Sequence, residues 1–328
     1  MKLLVLGGTG FVGRTIVDDA LTRGWQVTTI NRGHVAEDRP GVEVLRGDRL
    51  AAGGLDALLG REWDAVVDTW SGAPRAVRDS TNLLVDSVGH YGYVSSRSVY
   101  QAPPLPDMTE NAPLVAGSPD AEEAPYDQMK VGGELAVVRA FGDRGLLARA
   151  GLILGPYEDI GRLPWWLLRA ARGGPMLAPG PADLPLQYID ARDLAAWMLD
   201  AAEQRRSGAY NTVSRRGHTT MRELLERVVE VTGGRAELRW IAPEVVLEAG
   251  VEPWNDLPIW IPPGHPYEFL HNGDVSKAYD AGLVCRPIAE TVADTWTWLR
   301  GLDGGAPLRA DRSKVGLDPE VEAGLLAG

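Results

Sequence analysis

The 328-residue chain is 45% hydrophobic and 24% charged, with a formal net charge of −12, a balance that can bury a normal core and excludes a disordered or fibrous chain. The acidic excess opposes polyanions, so nucleic acid is not an expected partner, and Cys285, the only cysteine, excludes an internal disulfide or a zinc cluster built on cysteines. No run of about 18 apolar residues spans a bilayer and "MKLLVLGG" is too short for the apolar region of a signal peptide, so a cytoplasmic, non-membrane protein of two interlocked units is expected.

Lys2 to Leu6 is a short apolar run rich in branched residues. After the glycines, "FVGRTIVDDALTRG" sets Val12, Ile16 and Ala20 on one helical face and ends at Gly24, which reads as strand, glycine turn, helix. The alternation continues with "WQVTTI", "VEVLRG", "WDAVVDT", "YGYVSS" and "LLARAGLIL" as strands, separated by segments such as the helical "APRAVRDSTNLLVDSV". Repeated strand and helix units predict an α/β fold, a parallel sheet with helices on both faces.

In the turn "GGTGFVG", Gly8, Gly10 and Gly13 fit G-x-G-x-x-G, and Gly7, Gly10 and Gly13 fit G-x-x-G-x-x-G. Tight turns and close helix packing also select glycine. Here the pattern follows the first strand and opens a helix, where backbone N–H groups at the positive helix end would hold a pyrophosphate. An acid about 20 residues on would grip the ribose 2′-hydroxyl of NAD; "TTINRG" has Asn31 and Arg32 instead, and a guanidinium can pair with a 2′-phosphate. NADP is therefore favoured; the alternative is that Arg32 is a solvated loop charge and NAD is also accepted. Asp48, in "LRGDRL", either accepts a hydrogen bond from the adenine amino group or caps the helix that follows.

The fifth strand ends in "YVSSRSVY", which presents Ser95, Ser96 and Ser98 at the carboxyl edge of the sheet, where ligands bind in such folds. Further on, "APYDQMKVGGELA" carries Lys130, one of four lysines in the chain, four residues after Tyr126. On a helix the two meet one turn apart. Hydride transfer between a nicotinamide and a carbinol or carbonyl carbon needs a proton donor or acceptor on the oxygen; Tyr126 would supply it, Lys130 would favour its ionised form and hold the cofactor ribose, and a serine would orient the carbonyl. The bland alternative is an exposed aromatic and a solvated lysine on a surface helix.

Residues 101 to 125 hold six prolines and several acids, and read as either a lid or a passive surface loop. Trp165, Trp166, Trp240, Trp254 and Trp260 line a pocket or fill a core, with 254 to 266 the better pocket segment because it is irregular and proline-rich. The five histidines, His34, His90, His218, His265 and His271, show no close ligand pair, so no metal site is expected. Asp120, Glu122 and Glu123 read as a solvated acidic run.

Taken together, "GGTGFVG", "VSSRSVY", "YDQMK", "RAGLILGP", "LPLQYIDARDLAAWML" and "GAYNTVS", in this order, resemble the extended short-chain dehydrogenase/reductases, the NAD(P)-dependent epimerase/dehydratase group. The resemblance runs from Met1 to about Leu299, and "NRG", "GDR" and "WNDLPIWIPPG" resemble a bacterial reductase-like branch. It implies a Rossmann, doubly wound parallel sheet with a smaller, discontinuous C-terminal substrate domain. The expected division is 1–156, 186–207 and 266–283 for cofactor, and 157–185, 208–265 and 284–328 for substrate and tail. It further implies Tyr126 as acid/base, Lys130 as its partner and Ser96 as the carbonyl-binding serine, with Ser98 its competitor. The candidate cofactor set is Gly7, Gly8, Thr9, Gly10, Phe11, Val12, Gly13, Asn31, Arg32, Asp48 and Thr69, with Tyr126 and Lys130. A homodimer would form through "APRAVRDSTNLLVDSV" and the helix of Tyr126.

Two departures from the family pattern stand out. "VDTWSGAPRAV" replaces the usual His-x-Ala-Ala type turn, and "SSRSVYQ" lacks the acid pair that dehydratases place after the catalytic serine or threonine, which disfavours dehydration. The expected activity is an NADP-dependent oxidoreductase of the carbonyl reductase or alcohol dehydrogenase type acting on a small molecule, sugar nucleotide or secondary metabolite. The alternatives are an NAD-dependent nucleotide-sugar epimerase and a non-catalytic nucleotide-sensing or RNA-binding relative.

Overall fold

The computed structural model describes residues 1–33, 39–103, 108–303, 305–309 and 315–327; His34 and parts of the 101–125 segment and of the tail lie outside them. The first elements are β1 (Lys2–Leu6), α1 (Phe11–Thr22), β2 (Gln26–Asn31), β3 (Val42–Arg46), β4 (Trp63–Asp68), α2 (Arg75–Leu84), β5 (Val88–Ser96), α3 (Tyr126–Phe141) and β6 (Gly145–Ala150). They are followed by β7 (Leu152–Leu154), α4 (Arg162–Ala171), β8 (Gly174–Pro179), β9 (Pro185–Leu186), β10 (Tyr188–Asp190), α5 (Ala191–Glu203), β11 (Gly208–Thr212), β12 (Thr219–Thr220), α6 (Met221–Val231) and β13 (Ala236–Ile241). The last are α7 (Pro243–Glu248), α8 (His265–His271), α9 (Ser276–Asp280), α10 (Ile288–Arg300) and α11 (Pro319–Ala327). None of the described helices is long and apolar enough to cross a membrane.

The chain forms two compact units. The first, Met1–Gly151, Ala191–Thr212 and Asp274–Val284, is built on a parallel sheet in the order β11-β6-β5-β4-β1-β2-β3. Leu3, Leu4, Val5 and Leu6 are all fully buried, the continuous apolar run of a parallel strand covered on both faces. Leu4 and Leu6 pack with Val77 and Leu84 of α2 and Ala136, Val137 and Phe141 of α3, while α1 packs beside α5 on the other face. The sheet is thus doubly wound, and its strand order reverses between β1 and β4, where such folds open a ligand crevice at the carboxyl edge.

The expected division of the chain needs correction at its joints. "LLARAGLIL" is not one strand: β6 stays in the large sheet and, after Gly151, β7 pairs with β10 in the second unit. Gly208–Thr212, expected on the substrate side, is the edge strand of the large sheet because it pairs with β6. Residues 266–273, expected with the cofactor domain, belong to the second unit, where His271 Nδ1 accepts from Gln187 N at 3.0 Å.

A buried polar cluster ties β5, β6, β11 and α3 together. Arg149 donates to Glu134 twice, at 2.9 and 2.8 Å, and to the Tyr100 hydroxyl at 3.1 Å and Glu110 O at 2.9 Å. Ser95 donates to Glu134 at 2.6 Å and Tyr100 to Asn211 Oδ1 at 2.6 Å. Burial opposes the Arg149 charge, but the bonds and charge of Glu134 outweigh it and hold the guanidinium above its ordinary range.

The second unit, Leu152–Asp190, Val213–Gly273 and Cys285–Gly328, pairs short strands, β8 with β13, β7 with β10 and β9 with β12. Its core takes Trp166 and Trp260, both fully buried, whose indole N–H groups donate to Pro258 O at 2.6 Å and Gly180 O at 2.8 Å. Trp260 therefore fills the core rather than a pocket. The tail helix α11 is fastened by a buried Arg169–Glu322 pair at 2.6 Å. Glu158 is fully buried and accepts from the first-turn amides of α4, Arg162 N at 2.6 Å and Leu163 N at 3.3 Å. Burial raises its pKa to about 7 against the opposing pull of Arg162 and those amides.

Two outcomes follow from these buried charges. Glu134→Gln leaves the Arg149 charge uncompensated and should cost about 3 kcal/mol in denaturant unfolding, with part of that recovered when Arg149→Met is added. The folded chain holds the Glu158 proton to a higher pH than the unfolded chain does, so its contribution to stability is full below about pH 4.5 and is lost as pH rises to about 7. Glu158→Gln should remove that decline, on the order of 3 kcal/mol, read as the difference between the two proteins unfolded at pH 5 and pH 7.5.

Candidate active site

The glycine turn joins β1 to α1, and most of its glycines are required by packing alone. Gly7 has φ +98°, and a Cβ there would lie 2.4 Å from Thr69 Oγ1; at Gly8 it would meet Thr29 Cγ2 at 2.6 Å and at Gly13 the carbonyl oxygen of Gly7 at 2.0 Å. Gly10 differs. It caps α1 with φ −83° and ψ 173°, an ordinary extended conformation, and a Cβ there would meet nothing within 4 Å. The first intrahelical bond is Arg14 N to Gly10 O at 2.7 Å, so the amides of Phe11, Val12 and Gly13 face outward as at any helix start. No side chain caps them and no acid lies in the first turn. An open hollow before an uncapped helix N-terminus fits a dinucleotide diphosphate. Thr9 is half-buried in the turn, as is Val12 at the start of α1, and Phe11 is buried.

At the end of β2, Asn31 Oδ1 accepts from Gly33 N at 2.8 Å and from Arg46 Nη1, while Arg32 is exposed. Asp48 Oδ1 accepts from Leu50 N at 3.0 Å within a turn; no helix begins there, so the expected helix cap is not what the residue does. The neighbouring Arg49, which the sequence pattern did not single out, is the buried member of "GDR". It donates to both oxygens of Asp68 at 2.7 Å and to Ser80 at 2.7 Å. Asp68 also accepts from the Tyr91 hydroxyl at 2.6 Å and Trp70 N at 2.9 Å. This fixes the turn after β4, where Thr69 Oγ1 donates to Leu6 O at 3.1 Å and abuts Gly7.

Tyr126 is the first residue of α3 and 39% exposed, whereas Lys130, one turn on, is 3% exposed. The Lys130 ammonium donates to Trp70 O and Val94 O, each at 2.7 Å, and lies 4.8 Å from the Tyr93 ring centroid and 6.0 Å from that of Tyr126. Lys130 is therefore not a solvated surface lysine. Ser96, at the end of β5, accepts from Ser98 N at 3.2 Å and Ser98 Oγ at 2.9 Å, so the two serines form one hydrogen-bonded pair. The structure brings Gly7, Thr69, Trp70 and Lys130 into one chain of contacts at the carboxyl edge. The role of the Trp70 carbonyl carries no sequence signal, since any residue supplies one.

The described part of the 101–125 segment is docked rather than free. Gln101 N donates to Pro113 O at 2.9 Å and Val115 N to Val99 O at 2.8 Å. Gly117 and Gly132 allow it to lie directly on α3, where a Cβ on Gly132 would sit 2.4 Å from Ser118 O.

Residues 3–213 match the model of the NAD dependent epimerase/dehydratase family. A dTDP-6-deoxy-L-talose 4-dehydrogenase (NAD(P)(+)) of Kitasatospora kifunensis is 26% identical over 287 residues, 79% of this chain and 88% of that protein. A 2-alkyl-3-oxoalkanoate reductase of Stenotrophomonas maltophilia is 27% identical over 259 residues, 71% of this chain and 76% of that protein. The enzyme WbmH of Bordetella bronchiseptica, solved in complex with NAD+, superposes with a TM-score of 0.69 at 19% identity, covering 92% of this chain and 98% of that one, a likeness that speaks for the fold. With its sheet, its glycine turn and the whole of α3 inside the matched span, the chain belongs to the NAD dependent epimerase/dehydratase family of extended short-chain dehydrogenase/reductases.

Proposed function

We propose that the protein is an NADP-dependent oxidoreductase that interconverts a ketone and a secondary alcohol on a small molecule, with Tyr126 as the acid/base. One observation carries this reading: a buried ammonium, Lys130, held by two backbone carbonyls beneath an exposed phenol, Tyr126, at the edge of the sheet that also bears the glycine turn. When bound, the nicotinamide dinucleotide gives or takes the hydride. The chain's own residues do the rest.

The outward amides of α1 and the hollow at Gly10 hold the diphosphate, and Arg32 pairs with the 2′-phosphate. The Ser96 and Ser98 pair hydrogen-bonds the substrate oxygen. The Tyr126 hydroxyl delivers a proton to that oxygen during reduction and withdraws it during oxidation. Lys130 cannot swing away without breaking two hydrogen bonds, so its charge is already in place when negative charge develops on the phenol oxygen. The names of the two sequence relatives, a 4-dehydrogenase and an oxoalkanoate reductase, support a ketone or secondary alcohol as the reacting group. Leu135 and Val138, exposed on α3, offer the surface for a homodimer through α2 and α3.

The alternative is an NAD-dependent nucleotide-sugar epimerase, which the family description and the NAD+ complex of the Bordetella enzyme support. An epimerase oxidises and re-reduces the same carbon, so it retains its cofactor and consumes none.

The test is a ketone and alcohol panel with cofactor-stripped protein, following NADPH or NADH. Net consumption of NADPH supports the oxidoreductase, and tightly retained NAD(H) without net consumption supports the epimerase. Tyr126→Phe should lower turnover about 10²- to 10⁴-fold while calorimetry shows unchanged cofactor affinity; comparable loss of both would remove Tyr126 from its role. Gly10→Ala should unfold within about 0.5 kcal/mol of the parent yet bind dinucleotide at least about tenfold more weakly. Gly13→Ala should lose both, because its Cβ falls on the Gly7 carbonyl.

A further inference from the structure

Residues on a strand alternate faces, so positions two apart share one. Thr29 lies under the glycine turn, its Cγ2 2.6 Å from a Cβ built on Gly8, which places Asn31 on the same face of the sheet at its carboxyl edge. The parallel register pairs Thr29 with Val44 and Asn31 with Arg46, so Arg46 is on that face too. Ile30 and Leu45 between them turn the other way, into the core under α2 and α3. The Arg46 side chain does not simply extend into solvent. Its Nη1 donates to Asn31 Oδ1, and its Nε and Cζ lie 3.4 and 3.6 Å from a Cβ built on Gly33, so the guanidinium crosses the turn that carries Arg32.

We propose that Arg46 is a specificity-determining residue for the cofactor's 2′-phosphate, acting with Arg32; this rests on the NADP reading above. An acid at position 31 would bind a ribose hydroxyl, pair with Arg46 and repel a phosphate. Asparagine orients the same guanidinium through a neutral oxygen without adding negative charge. Gly33 has φ +77°, which favours glycine on backbone grounds, and the guanidinium packs at ordinary contact distance over it. A phosphate monoester presents three acceptor oxygens and up to two negative charges, while one planar guanidinium engages two oxygens, so a second cation from the neighbouring strand completes the match.

The experiment titrates cofactor-stripped, full-length protein with NADPH and NADH, and with the fragments adenosine 2′,5′-bisphosphate and 5′-AMP, in the parent, Arg32→Ala, Arg46→Ala and Arg46→Lys, with thermal unfolding as a check on folding. Arg46→Ala should weaken NADPH and the bisphosphate by about tenfold or more and leave NADH and 5′-AMP within about twofold, with partial recovery in Arg46→Lys. A parent that does not prefer NADPH overturns the NADP reading and this inference with it. A parent that prefers NADPH, loses the preference in Arg32→Ala and keeps it in Arg46→Ala overturns the Arg46 assignment alone. Equal weakening of NADPH and NADH in Arg46→Ala also overturns it, since that pattern marks general support of the adenosine end.

Discussion

The geometry of the site depends on a buried ammonium. Removing a lysine charge from water is costly unless its donors are satisfied, and Lys130 meets that cost with the carbonyls of Trp70 and Val94 and the faces of two tyrosine rings. Those partners come from the turn after β4 and from β5, so α3 must approach both closely. Gly132 and Gly133 permit it: a Cβ at Gly133 would sit 2.5 Å from the Tyr93 hydroxyl, and one at Gly132 2.7 Å from Pro74. Two glycines inside a helix cost about 1 kcal/mol each relative to alanine, a penalty offset by the contact they allow. One turn further along the same face, Glu134 is locked by Arg149 and Ser95. Tyr126, Lys130 and Glu134 thus occupy successive turns, with the two buried positions holding the exposed one in place.

Close packing also separates the glycines of the first turn. Gly7, Gly8 and Gly13 would be glycine in any tightly packed strand-to-helix joint, because Thr69, Thr29 and the Gly7 carbonyl occupy the space a side chain needs. Gly10 has neither a strained φ nor a crowding neighbour, and glycine there costs backbone entropy for no gain within the chain. That cost calls for something outside the chain to come close.

Much of this was legible in the sequence because it rests on local periodicity: the fully buried β1, the strand-turn-helix opening, and the four-residue step from Tyr126 to Lys130. The misses arose where long-range pairing decides. "LLARAGLIL" has unbroken apolar character, yet Gly151 divides it between two sheets, which no local pattern marks. In "GDR" the acid drew attention, whereas the structure buries Arg49 and leaves Asp48 bonded within a turn, because Asp68 waits 19 residues on. Trp260 sits in a proline-rich stretch that reads as surface but packs into the core of the second unit. Arg46 gains meaning only from its register with Asn31, a cross-strand fact that a single strand does not contain.

The proposal of a phenol rather than a carboxylate as proton carrier fits where the acids at this edge are spent. Glu134 faces Arg149 and Ser95, Asp68 faces Arg49 and Tyr91, and Glu110 accepts from Asn211 N at 2.7 Å. Each serves the packing of the sheet's carboxyl edge. After the Ser96 turn, where the dehydratases of this family carry an acid pair, this chain has Arg97, fully buried, its pKa lowered to about 10 by that burial. Eliminating water calls for a base at a neighbouring carbon and an acid on the leaving hydroxyl in addition to the redox step. With those carboxylates committed to structure and a cation after Ser96, no acid pair stands ready for elimination, which supports the proposed carbonyl and alcohol interconversion, a reaction that needs one proton on one oxygen.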